Sequence, residues 1–125
     1  MIVYCCSDLI FATKIRSTAE SLGLVLRPAR TAEAMSNRLE QVDDGRPNEP
    51  VTGVLIDLDL EDQAMALIDQ IKHHDQSIPV IAFGSHVATA VLDGARQRGA
   101  DFVMARGAFT ANLPDILRRF GDADA

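Results

Sequence analysis

Residues 51–60 read VTGVLIDLDL. From Gly53 to Ile56 the run offers water no polar side, and it closes on an acid, Asp57. A strand covered on both faces reads this way, whereas a half-wet strand alternates. Similar runs stand on either side: IVYCC (2–6), PVIAF (79–83), DFVMA (101–105) and a weaker member, LVLR (24–27). Between them the apolar positions recur with helical spacing. The stripes are Phe11, Ile15, Thr18 and Leu22; Ala32, Met35, Leu39 and Val42; Ala64, Leu67, Ile68 and Ile71; Ala88, Val91, Leu92 and Ala95; and Leu113, Ile116, Leu117 and Phe120.

Strand and helix therefore alternate five times. Such alternation predicts an α/β fold, with a parallel sheet between helical layers. Right-handed crossovers leave few topologies. The expected one is a three-layer, doubly wound five-stranded sheet of order 2-1-3-4-5, with two helices on one face and three on the other. One domain over residues 1–120 and a frayed tail, GDADA (121–125), complete the expectation. Ser7 or Asp8, and Thr31, suit helix N-caps. Gly23 and Gly99 suit the left-handed position that ends a helix. DDGRPNEP (43–50) is the one long polar loop.

At 125 residues, 47% hydrophobic and 24% charged, the chain has the composition of a globular domain and not of a disordered one. No apolar run reaches the roughly 20 residues that span a bilayer. MIVYCCSD lacks the basic region of a signal peptide, so a cytoplasmic location is expected. The formal net charge is −6, which disfavours nonspecific binding to nucleic acid. Acids concentrate over residues 43–75. Arginines concentrate over 84–120, as Arg96, Arg98, Arg106, Arg118 and Arg119.

Cys5 and Cys6 are neighbours on a strand, so their side chains point to opposite faces and do not pair. They read as small buried hydrophobes. His73 and His74 diverge by about 100° on a helix and cannot chelate together. His86 follows Ser85, but adjacent residues rarely place a nucleophile and its base correctly. Neither a G-x-S-x-G turn, a P-loop nor G-x-G-x-x-G is present. No enzymatic activity is expected.

Sites in such sheets lie beyond the carboxyl ends of the strands. That places Cys5, Cys6, Ser7 and Asp8 after strand 1. Asp57 and Asp59 follow strand 3, Gly84 and Ser85 strand 4, and Arg106 and Gly107 strand 5. With VTGVLIDLDL, IPVIAFGS and RGADFVMARGAF as the carrying segments, the chain resembles the receiver domain of two-component response regulators over nearly its whole length. The resemblance implies that Asp57 stands at the phosphoacceptor position. The family's other signatures are replaced: its acidic pair by Cys5 and Cys6, its Thr/Ser by Gly84 with Ser85 one residue late, its lysine by Arg106, its proline by Gly107 and its strand-5 aromatic by Val103.

Phosphoryl transfer to a carboxylate relies on Mg²⁺ to neutralise charge, and Mg²⁺ prefers hard oxygen ligands to sulfur. Only a weak remnant site at Asp57 and Asp59 is therefore expected, with Asp8 a further acid near it, and no cofactor. Glu61 and Asp62 read equally well as acids favoured by the first turn of the next helix. Arg106 is expected to pair with Asp57 as a two-pronged guanidinium.

The leading reading is a stand-alone receiver-like signalling module. It acts by contact with another protein, such as a histidine kinase or an effector, or with a second copy of itself. It does so without conventional phosphorylation. The resemblance points to Arg96, Arg98, Arg118 and Arg119 as its partner face. Two alternatives remain: a working phosphoacceptor at Asp57, and a binder of small ligands in the strand-end crevice.

Overall fold

The computed structural model describes residues 1–43, 46–47 and 49–121. Five strands form one parallel sheet: β1 (Ile2–Cys5), β2 (Leu26–Pro28), β3 (Gly53–Asp57), β4 (Val80–Gly84) and β5 (Phe102–Ala105). Their order across the sheet is β2-β1-β3-β4-β5, and every pairing is parallel. This is the expected doubly wound topology. The helices are α1 (Leu9–Ser21), α2 (Ala32–Leu39), α3 (Asp62–His74), α4 (Thr89–Gln97), α5 (Arg106–Ala111) and α6 (Leu113–Gly121).

The pleat divides the apolar residues between two cores. Val3, Cys5, Val54, Ile56, Val80 and Ala82 face the layer that α2, α3 and α4 cover. Ile2, Tyr4, Leu55, Ile81 and Phe83 face α1, α5 and α6. Burial on both sides is why these strands tolerate continuous apolar runs. Cys5 and Cys6 fall in opposite cores, both buried and unpaired.

Local chemistry sets the helix ends. Asp8 accepts the N–H groups of Ile10 at 2.8 Å and Phe11 at 3.3 Å, and Thr31 accepts that of Ala34 at 3.0 Å. Gly23 (φ 70°) and Gly99 (φ 106°) take the left-handed conformation after α1 and α4, which costs glycine nothing.

Three elements differ from the sequence reading. β2 begins two residues later than LVLR and ends on Pro28; as an edge strand it tolerates a missing N–H. The polar loop contains a short antiparallel pair, Val42–Asp43 with Arg46–Pro47; Asp44, Gly45 and Asn48 lie outside the described residues. A further helix precedes the expected final one, the two meeting at Asn112. That helix, α5, is only six residues long, too short to show an apolar stripe. Gly121 belongs to α6 and not to a frayed tail; 122–125 lie outside the described residues.

Candidate functional site

β3 is the central strand, so its last residue emerges between β1 and β4. Cys5 pairs in register with Ile56, and Asp57 with Phe83. The residues just past Cys5 therefore face Asp57 across the sheet end. Among the described residues, Asp57 is the one fully buried charged side chain. A buried carboxylate requires donors, and this one has them on both oxygens.

Oδ2 accepts the Ser7 hydroxyl at 2.8 Å and the Ser7 N–H at 3.1 Å, with the Cys6 thiol at 3.5 Å. Oδ1 accepts the Asp59 N–H at 3.0 Å and Nη2 of Arg106 at 2.9 Å. Burial pushes the Asp57 carboxyl up. The Asp59 N–H, the Arg106 guanidinium and the two Ser7 donors outweigh it and hold the group below the ordinary carboxylate range.

Arg106 opens α5 at the end of β5. The same Nη2 that meets Asp57 also meets Asp59 Oδ2 at 2.8 Å. One nitrogen thus bridges two carboxylates, where a two-pronged grip on Asp57 alone was expected. The guanidinium carbon lies 5.2 Å from the ring centre of Phe11 and 5.3 Å from that of Phe83, within cation–π range. Phe83 stacks on Phe109 at 4.1 Å. Burial pulls the guanidinium down, and Asp57 and Asp59 more than reverse this.

The cluster thus joins Cys6, Asp57, Asp59 and Arg106 from the sequence reading. It adds Ser7, which the sequence reading placed after strand 1 without a contact to Asp57, and the aromatic floor of Phe11 and Phe83. Ser7 has a signal only once the β1–β3 register is known, because that register brings the residue after Cys6 to Asp57.

Four expected pocket residues stand apart. Cys5 points into the opposite core, where burial raises its thiol. Asp8 spends its carboxylate on the N-terminus of α1. Ser85 is exposed and its hydroxyl accepts the Val87 N–H at 3.4 Å. Gly84 is filled from the neighbouring loop: a Cβ there would lie 3.1 Å from Cβ of Leu58. The Cys6 thiol is pushed up to about 11, first by burial and then by Asp57, against a lowering contact with the Asp8 backbone, so it is a poor nucleophile near neutrality.

These residues do not suit Mg²⁺. Of the side chains just past β1, Cys6 brings Asp57 only a soft sulfur at 3.5 Å and Ser7 a neutral hydroxyl at 2.8 Å, so neither supplies a second carboxylate. A cationic nitrogen lies directly between the Asp57 and Asp59 oxygens.

The four arginines of the expected partner face do not form a bare basic patch. Arg96 pairs with Asp93 at 2.7 Å, Arg98 with Asp69, and Arg118 with Asp115 at 3.1 Å. Arg119 lies over Phe102 and Phe120, 4.8 and 5.1 Å from their ring centres. Val103 on β5 is half-buried.

No sequence-family description and no curated protein matches the chain. Solved structures do. The receiver domain of NtrX from Brucella abortus superposes with a TM-score of 0.75 at 18% identity, covering 98% of this chain and 99% of that one. A CheY-like response regulator receiver domain protein from Methanospirillum hungatei JF-1 gives 0.73 at 15%, covering 94% and 90%. A response regulator from Thermotoga maritima gives 0.70 at 13%, covering 95% and 94%. Against two longer NtrX chains, this chain spans about a quarter of their length, 25% and 26%. The chain has the receiver fold.

Proposed function

We propose that the chain is a non-catalytic, receiver-like signalling module that works by contact with a protein partner, without Mg²⁺-dependent phosphorylation of Asp57. The observation that carries this reading is the state of the Asp57 carboxylate. A phosphoacceptor must present an oxygen to the incoming phosphorus, with a cation to neutralise charge as the bond forms. Here both oxygens accept internal donors, and the cation beside them is a side chain.

The output side of the reading rests on the edge of the sheet. β5 is an outer strand whose residues are all half-buried, flanked by α4 and α6. Of the four arginines on this face three are paired with acids of the chain and Arg119 lies over two rings, so a partner there meets apolar surface and largely matched charge. Among the described residues no helix is long and apolar enough to cross a membrane.

Incubation with acetyl phosphate and Mg²⁺, read by intact mass, tests the reading. We expect no phosphoryl adduct. A stoichiometric adduct that disappears in Asp57→Asn refutes it and makes the chain a working phosphoacceptor.

A further inference from the structure

Asp57 and Asp59 each present one oxygen to the same atom. Arg106 Nη2 lies 2.9 Å from Asp57 Oδ1 and 2.8 Å from Asp59 Oδ2. Two carboxylate oxygens converging on one point of positive charge is the arrangement a small cation also demands. The seat is built from three directions. The end of β3 and the 3₁₀ turn Leu58–Leu60 that follows it supply the carboxylates, and the Asp59 N–H fixes Asp57 Oδ1 at 3.0 Å. Phe11 of α1 and Phe83 of β4 lie against the guanidinium, and the start of α5 delivers Arg106. The Cys6 sulfur touches the other oxygen, Asp57 Oδ2, and so does not line this seat.

The geometry points to Arg106 as a tethered cation that stands in the place of a divalent ion: its guanidinium, and not the sulfur of Cys6, closes the Asp57–Asp59 carboxylates to metal. This deepens the reading above and rests on it, because it names the group responsible for independence from Mg²⁺. A tethered charge is always at hand, whereas a free ion binds according to its concentration. The charge balance at Asp57 then stays constant whatever the metal level.

The test compares metal uptake by the intact chain and four variants. Binding of Mn²⁺ is followed by the loss of its free-ion paramagnetic resonance signal, and melting is recorded with and without about 10 mM Mg²⁺. The wild type should take up no Mn²⁺ and show no shift. Arg106→Met, and Arg106→Gln as a second replacement, should take up Mn²⁺ and gain about 5 °C with Mg²⁺ if the dissociation constant is near 1 mM. The gain should vanish in Arg106→Met with Asp57→Asn. Cys6→Ser, which keeps Arg106, should behave as wild type. A cooperative urea transition establishes that each variant is folded.

Metal uptake by the wild type or by Cys6→Ser overturns the inference. So does its absence in both folded Arg106 variants. That last result leaves the reading of an unphosphorylated module intact, and the acetyl phosphate experiment judges the reading separately.

Discussion

Replacing Arg106 by methionine removes the guanidinium, with its cation–π contacts to Phe11 and Phe83, but keeps a side chain of similar length. Also lost is the contact from Nη2 to Asp57 at 2.9 Å and to Asp59 at 2.8 Å. Breaking a fully buried ion pair by deleting one partner costs about 3–5 kcal/mol, and a hydrogen bond to a charged group contributes about 1.5–3 kcal/mol. Asp57 is fully buried, but the Arg106 side chain is 29% exposed, so solvent already moderates the pair. Asp57 also keeps the two Ser7 donors and the Asp59 N–H. The Asp59 arm, on a side chain 61% exposed, adds little. We therefore expect Arg106→Met to cost about 2–3 kcal/mol, below the fully buried range. Urea unfolding of the wild type, Arg106→Met, Asp57→Asn and the double variant forms a complete cycle. The double variant should recover part of the loss, because the neutral amide needs no counter-charge. The coupling between the two sites should reach about 1–2 kcal/mol. A coupling below about 0.5 kcal/mol would show that the short distance contributes no net interaction, and would refute the account of Asp57 as a carboxylate neutralised from within.

Acid should expose the same pair. The folded pKa of Asp57 lies below its unfolded value of about 3.9. Its contribution is therefore present above the unfolded value and lost as pH falls through the folded one. Urea midpoints measured from pH 6 down to pH 2 should fall more steeply for the wild type than for Asp57→Asn; parallel profiles would contradict the depressed pKa. At Gly84, a Cβ would approach Cβ of Leu58 to 3.1 Å. Gly84→Thr should therefore destabilise by about 1–3 kcal/mol through overpacking. Leu58→Ala keeps that Cβ and should relieve only the part of the cost due to Cδ1 and Cγ, 3.4 and 3.7 Å away, and equal stability of Gly84→Thr and wild type by thermal melting would remove Leu58 as the obstacle.

The order of strands and helices was open to inspection in the sequence because its causes are local. Continuous apolar runs such as Gly53–Ile56 follow from burial on both faces, and the helical stripes follow from a one-sided core. Asp8, Thr31, Gly23 and Gly99 mark helix ends through contacts within a few residues. The same local logic placed Cys5 and Cys6 on opposite faces. It missed α5, because six residues carry no period, and it missed the shift of β2 onto Pro28, because an edge strand leaves a weak apolar signature.

The site depended on contacts that no local pattern encodes. Asp57 and Arg106 stood out as an acid and an arginine at strand ends, but their separation of 49 residues is bridged only by the sheet. Ser7 becomes a ligand of Asp57 through the β1–β3 register. Asp8, one residue on, turns instead to the first N–H groups of α1. Three of the four arginines expected to face a partner find Asp93, Asp69 and Asp115 within the chain, and Arg119 lies over Phe102 and Phe120. Two of those three pairs, three residues apart on one helix, were open to the sequence; Arg98 with Asp69 needs α3 packed beside α4. By itself the sequence determined which residues must be buried and which segments must be strands or helices, since burial and period are properties of neighbours along the chain. Only the tertiary structure decided which donors fill the Asp57 carboxylate and which cation sits beside it, because those partners meet through strand register and layer packing, across distances the chain spans only when folded.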